Sequence, residues 1–219
     1  GLGALVGGVL TVANYIWLSY ALLVVGLITA TVAAYLTNQY IREPRPDKAL
    51  ARALEGLDKR YAVYNYYLAA HHVIASHYGL TVIVPRAQKG QISYAGKWVH
   101  RARWRAVTQF IGEPSIGKPE ETLQEEVDNL KQWIAEALPG DEAVPVDGLV
   151  LFTNPEVELD VDQAPVTALK TDALANYMRT GMKGRTVLST ARQKELRRLL
   201  DSVVQASQAS AASKRSKKA

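Results

Sequence analysis

The sequence predicts an N-terminal transmembrane helical hairpin followed by a cytoplasmic α/β domain built on a mixed sheet. Three observations predict it. Residues 1–41 carry no charged side chain, and Arg42 is the first. A run of basic residues follows directly. Beyond that, short apolar β-branched runs alternate with amphipathic helical patterns, the signature of helices layered on a sheet. The 219 residues are 48% apolar with a net charge of +5. The mean hydropathy of −0.07 averages two unlike parts. No cysteine is present, which excludes disulfides, thiolate zinc sites and cysteine nucleophiles.

Forty-one uncharged residues exceed one membrane crossing. One helix of that length would run about 60 Å, against a hydrocarbon core of about 30 Å. Asn14, Tyr15, Trp17, Ser19 and Tyr20 interrupt the apolar run where a turn at the headgroup level would fall. The first crossing is read over Gly1–Ala13, shortened at its start because the chain begins at Gly1 and not at Met. The second covers Trp17–Leu36, with Tyr40 at the far interface. Gly3, Gly7 and Gly26 are the small residues expected to let helices pack closely. A signal peptide would show one shorter apolar stretch. A soluble core hairpin would show some charge.

Arg42, Arg45, Lys48, Arg52, Lys59 and Arg60 flank the apolar segment, and a basic flank stays on the cytoplasmic side. The expected location is the inner, cytoplasmic membrane, multi-pass, with the following domain facing the cytoplasm. Residues 42–57 form the juxtamembrane link. Asp47 is the candidate N-cap of a helix from Lys48 to Leu57.

The domain is expected over residues 58–204. Tyr61–Tyr67 and His72–Ala75 read as strands, and Ser76-His77-Tyr78-Gly79 as a turn. Leu80–Pro85 is continuously apolar, as in a strand buried on both faces. Gln91–Tyr94 and Lys97–His100 follow as strands. Pro119 opens a helix over Glu120–Leu138, where Leu123, Val127, Leu130, Ile134 and Ala137 recur at steps of three and four. Val146–Thr153 is a second buried strand. Glu156–Asp162 follows, and Pro165–Leu169 is a short edge strand. Helices are expected from Thr171 or Asp172 to Thr180 and over Thr190–Val204. Residues 205–219 form a low-complexity basic tail, expected to be disordered.

These residues carry a resemblance. HHV (71–73), SHYG (76–79), LTVIVPR (80–86) and GQI (90–92) resemble the central hairpin of the nuclease-related domain (NERD) family, a branch of the PD-(D/E)xK endonuclease-like fold. Glu120–Leu138 followed by LVLFTNP resembles the family's later helix and strand. The likeness spans Leu54–Tyr177. The apolar N-terminus with its PRPD exit resembles a membrane-anchored subset. The resemblance implies a restriction-endonuclease-like core. It also implies a site where an Asp on one strand and a Glu-x-Lys on the next hold a divalent cation.

This chain departs from that pattern at each position. Aligned on the turn, Asp becomes His71, Glu becomes Val84 and Lys becomes Arg86. Magnesium takes oxygen ligands, which valine lacks. Arginine stays protonated and cannot act as a base. No Mg²⁺-dependent hydrolysis, metal or cofactor is therefore expected. His71 and His72 are adjacent on a strand and point to opposite faces, so they cannot share one ion. Asp58, Glu55 and Asp147 are the carboxylates a nuclease reading would need.

Lys97–Arg105 (KWVHRARWR) mixes basic and aromatic residues. Lys97, Arg101, Arg103 and Arg105 could grip phosphates or an anionic membrane surface, or solvate a strand edge whose tryptophans enter the core. The expected function is a non-catalytic, membrane-anchored binding or structural module, for instance an accessory subunit of a membrane assembly. The implied partners are the bilayer and other subunits or a second copy. The alternative is a membrane-tethered metal-dependent nuclease or a nucleic-acid-binding protein.

Overall fold

The computed structural model describes residues 18, 20, 22–30, 32–33, 46–54, 58, 60–101 and 115–216. The chain divides into two units. One holds residues 1–43 and 104–114, the other residues 44–103 and 115–219.

In the first unit the described residues are helical and exposed, including Leu22, Leu23, Leu27 and Ile28. Here the expectation is corrected. No helix among the described residues is long and apolar enough to cross a membrane. This overturns the transmembrane hairpin and the multi-pass inner-membrane location. The inference about which way the domain faces rested on that hairpin and goes with it. Gly3, Gly7 and the Gly1–Ala13 crossing lie outside the described residues. Gly26 lies in the helical run, and a Cβ added there would meet nothing within 4 Å among the described residues.

The second unit is an α/β domain with two mixed sheets. Helix α1 (Pro46–Ala53) precedes β1 (Ala62–Asn65), β2 (His72–Ser76) and β3 (Gly79–Arg86). Next come β4 (Gly90–Tyr94), β5 (Trp98–Arg101) and helix α2 (Pro119–Ala137). The strands β6 (Val146–Phe152), β7 (Val157–Asp160) and β8 (Ala168–Lys170) follow. Helix α3 (Thr171–Asn176) runs into a π-helical turn over Tyr177–Gly181, and α4 (Thr190–Ser216) ends the fold.

The larger sheet has the order β1-β2-β3-β6-β8. Its first three strands are an antiparallel meander, and β6 and β8 join in parallel. The β2–β3 turn is tight, with Ser76 paired to Gly79. Gly79 has φ +127°, and a Cβ there would lie 2.3 Å from the Pro145 carbonyl oxygen. That carbonyl accepts the Leu80 N–H at 2.9 Å, tying the turn to the start of β6. Glycine is needed for the backbone angle and for the approach. The smaller sheet, β5-β4-β7, branches off as a separate layer where a single sheet was expected.

Both faces of the large sheet are covered. Leu80, Val82, Val84, Val150 and Phe152 pack with Leu123, Val127, Leu130 and Ile134 of α2 and Leu196 and Leu200 of α4. Ile74, Ile83, Leu149 and Leu151 pack on the other face with Leu50 of α1, Leu174, and Met178 and Met182 beyond. The two-faced burial of β3 is the reason its sequence is a continuous apolar run rather than an alternating one.

Two boundaries differ from expectation. Helix α1 starts two residues early and stops at Ala53. Helix α4 runs to Ser216 instead of ending near Val204, so most of the expected tail is helical. Its alanines, glutamines and basic residues are good helix formers, and they extend a helix already seeded by the packed Leu196 and Leu200.

Candidate functional site

The three positions singled out by sequence lie at one end of the sheet face that carries α2. Val73 pairs with Val82, so the register carried two residues further sets His71 across from Val84. Alternation then places Arg86, two residues past Val84, on the same face. Val84 is 1% exposed and part of the core. It keeps the strand packed and offers no donor atom.

The polar groups come from α2. His71 donates its backbone N–H to Glu126 Oε2 at 3.2 Å, and its Nδ1 lies 2.8 Å from Glu126 Oε1. One turn earlier on the same helix, Thr122 Oγ1 accepts from Arg86 Nη2 at 3.3 Å. Arg86 Nη1 donates to the Pro85 carbonyl at 3.3 Å. Its Nε is buried without a hydrogen-bond partner among the described residues. Burial pushes the Arg86 pKa down, and the nearby Glu126 carboxylate pulls the other way. Thr122 and Glu126 are thus the two points through which α2 holds His71 and Arg86 together.

The loop before His71 is strained into place. Tyr66 has φ +63°, an uncommon angle for an aromatic residue. Its N–H donates to the His71 carbonyl at 2.6 Å. Its ring meets the His72 ring edge-on, with centroids 4.8 Å apart. His72 is buried, with Nδ1 2.8 Å from Asn65 Oδ1. His71 and His72 therefore diverge as alternation requires. His77 sits in the turn at the far end of the hairpin, stacked at 3.9 Å on Tyr78. The three histidines do not converge, and no group of three or more His, Asp or Glu side chains able to hold a metal is found among the described residues.

Other candidate carboxylates lie elsewhere. Asp147 pairs across the sheet with Thr81, five residues along β3 from Arg86, which is about 16 Å of strand. It forms an ion pair with Arg185. Asp58 pairs with Arg60 at 2.7 Å. Glu55 lies outside the described residues.

Of the basic segment, Lys97 and Arg101 are exposed, while Arg103 and Arg105 lie outside the described residues. Trp98 enters the core beside Phe152, its Nε1 donating to Glu120 Oε2 at 2.5 Å. His100 Nε2 lies 2.7 Å from the Lys89 carbonyl. The first tryptophan of the segment therefore serves packing.

Glu126 is the site residue that sequence reading missed. A signal existed: on a helix whose inward stripe is Leu123, Val127 and Leu130, Thr122 and Glu126 fall one turn apart on the same flank. No protein-family model matches this chain, and no curated protein or solved structure matches it either.

Proposed function

We propose that the chain is a non-catalytic module of the nuclease-related type, with a binding or structural role. One observation carries this reading. At the place where such a nuclease would hold its cation, Val84 is sealed in the core. The carboxylate of Glu126, which reaches the place, is engaged by the backbone and ring of His71. The order helix, three-stranded meander, β4–β5 strand pair, helix, parallel strand supports the comparison with that fold. A held arginine and a carboxylate bound to histidine form a charge-balanced cluster, suited to fixing the strand ends rather than to activating water.

The test is calorimetric titration of the chain with Mg²⁺ and Mn²⁺, with plasmid cleavage assayed in parallel. Neither a saturable cation site nor cleavage is expected. Cleavage abolished by Glu126→Gln would sink the reading. It would favour the alternative, a metal-dependent nuclease using Glu126 and His71.

A further inference from the structure

The edge strands of the two sheets are β1 and β8, and β5 and β7. Three of them carry charge that discourages a further strand: Lys170 on β8, Arg101 on β5, and Glu158 and Asp160 on β7. β1 carries none. Residues 61–70 (YAVYNYYLAA) hold no charged side chain, and β1 contains neither proline nor glycine. Shortness is its one protection. Among the described residues of this unit, the exposed large apolar side chains are Val63, Tyr66 and Val187. Val63 lies on β1 and Tyr66 directly follows it.

The direction of the free backbone groups follows from one bond. Tyr66 donates its N–H to the His71 carbonyl, and the β1–β2 register continues from there, Asn65 with His72 and Tyr64 with Val73. In an antiparallel ladder every second pair exchanges both bonds. Ala62 and Tyr64 therefore bond inward to β2, while Val63 and Asn65 turn their N–H and C=O outward. No strand of the described residues lies on that side. The free stretch is closed at both ends. The Tyr61 N–H is taken by the Asp58 carbonyl at 3.0 Å, and the positive φ of Tyr66 ends the extended run after Asn65.

We propose that β1 pairs with β1 of a second copy of this chain, antiparallel about a two-fold axis at Tyr64, so that the two large sheets become one. Val63 then faces Asn65 of the other copy, and Asn65 faces its Val63. Those two pairs exchange all their hydrogen bonds and use every outward group of Val63 and Asn65 on both strands. Length and charge favour a second copy over an unrelated peptide. The free edge is short and centred on Tyr64, so a longer strand finds no further donor or acceptor in β1. The uncharged edge lets two chains of net charge +5 meet without like charges in the ladder. Val63 and Tyr66 are drawn against the other copy in the same step. So short a ladder and so small an apolar area support a weak dimer, with a dissociation constant on the order of 0.1 mM. The pairing names a partner for the binding or structural role, and it is independent of the state of the Arg86 end.

The experiment is residue-resolved amide exchange of the full chain at about 10 μM and about 1 mM, where a dimer of that affinity passes from minor to dominant. The Val63 and Asn65 amides should slow about threefold or more at the higher concentration. The amide of Gly184, exposed elsewhere on the unit, should not change. Val63→Pro removes one outward N–H at an edge position where proline is tolerated, and should abolish the slowing at Asn65. Val63→Lys puts a charge on the same edge without altering the backbone and should do likewise, with circular dichroism checking both folds. Val63→Thr should behave as the unaltered chain. Val63 and Asn65 amides that exchange alike at both concentrations overturn the proposal. So does slowing at Asn65 that survives in both Val63→Pro and Val63→Lys, because the association then runs through another surface.

Discussion

Glu126 holds His71 by two atoms at once: Oε2 takes the backbone N–H at 3.2 Å and Oε1 meets the ring Nδ1 at 2.8 Å. A helix residue thereby fixes the residue just before strand β2, fifty-five positions earlier. The same carboxylate is the counter-charge facing the mostly buried Arg86.

Glu126→Ala removes both roles. A half-satisfied guanidinium is left with less compensation, and the N–H of His71 loses its acceptor. The expected loss is about 1–3 kcal/mol of unfolding free energy by urea denaturation. Glu126→Gln keeps an acceptor for the backbone and should lose less. Equal losses for the two variants would contradict this division of labour.

Val84→Glu places a carboxylate where the core is sealed. Alone it should cost about 3–5 kcal/mol, because a buried charge without a partner is expensive. Combined with His71→Asp and Arg86→Lys, it rebuilds the donor set that the nuclease-like pattern would have. Addition of Mn²⁺ should then raise the melting temperature of the triple variant and not that of the unaltered chain. A triple variant indifferent to Mn²⁺ would count against a nuclease-like origin of this corner.

Arg192 closes the end of α2. Its guanidinium donates to the Leu138 carbonyl at 2.6 Å and the Pro139 carbonyl at 3.4 Å, and pairs with Glu195 at 3.1 Å. The Leu138 carbonyl, at the helix C-cap, is one that the helix end leaves without an intrahelical partner. Arg192→Ala should cost about 2–3 kcal/mol in chemical denaturation. Arg192→Lys should recover only part of that, because one ammonium cannot reproduce the planar fork.

Tyr64 sets a stability limit at high pH. Burial first, then the charge of Asp201 and the hydrogen bond to it, raise its pKa to about 12. The folded state therefore holds this proton more tightly than the unfolded chain, whose tyrosine titrates near pH 10. The contribution is complete below about pH 10 and is lost as pH rises from there toward 12. Urea denaturation across that window should show falling stability. Tyr64→Phe should flatten the slope.

The domain was legible where one physical rule dominates. Leu80–Pro85 could only be a strand covered on both sides, and Glu120–Leu138 could only be an amphipathic helix on that sheet. Both stand where they were read. The separate β5-β4-β7 layer was not legible, because Gln91–Tyr94 and Lys97–His100 look the same whether they extend a sheet or leave it. Helix α4 was cut short because alanine, serine and lysine runs also describe disordered tails, and only the packed Leu196 and Leu200 distinguish the two. The apolar N-terminus misled for the opposite reason. Absence of charge measures what a segment could tolerate, not how long its helix is. Glu126 escaped notice because pairing across fifty-five residues is decided by tertiary packing, which no local window contains.

The parallel contact between β3 and β6 has a kinetic consequence. Leu80 must wait for Val146, so the central ladder closes only after sixty-six residues have been made and drawn together. The β1–β2–β3 meander emerges complete before that, with local pairings that form quickly. For that interval the β3 edge, apolar on both faces, is bare. Folding of this domain is gated by delivery of its last central strand, and the bare edge is the surface through which a stalled chain would aggregate.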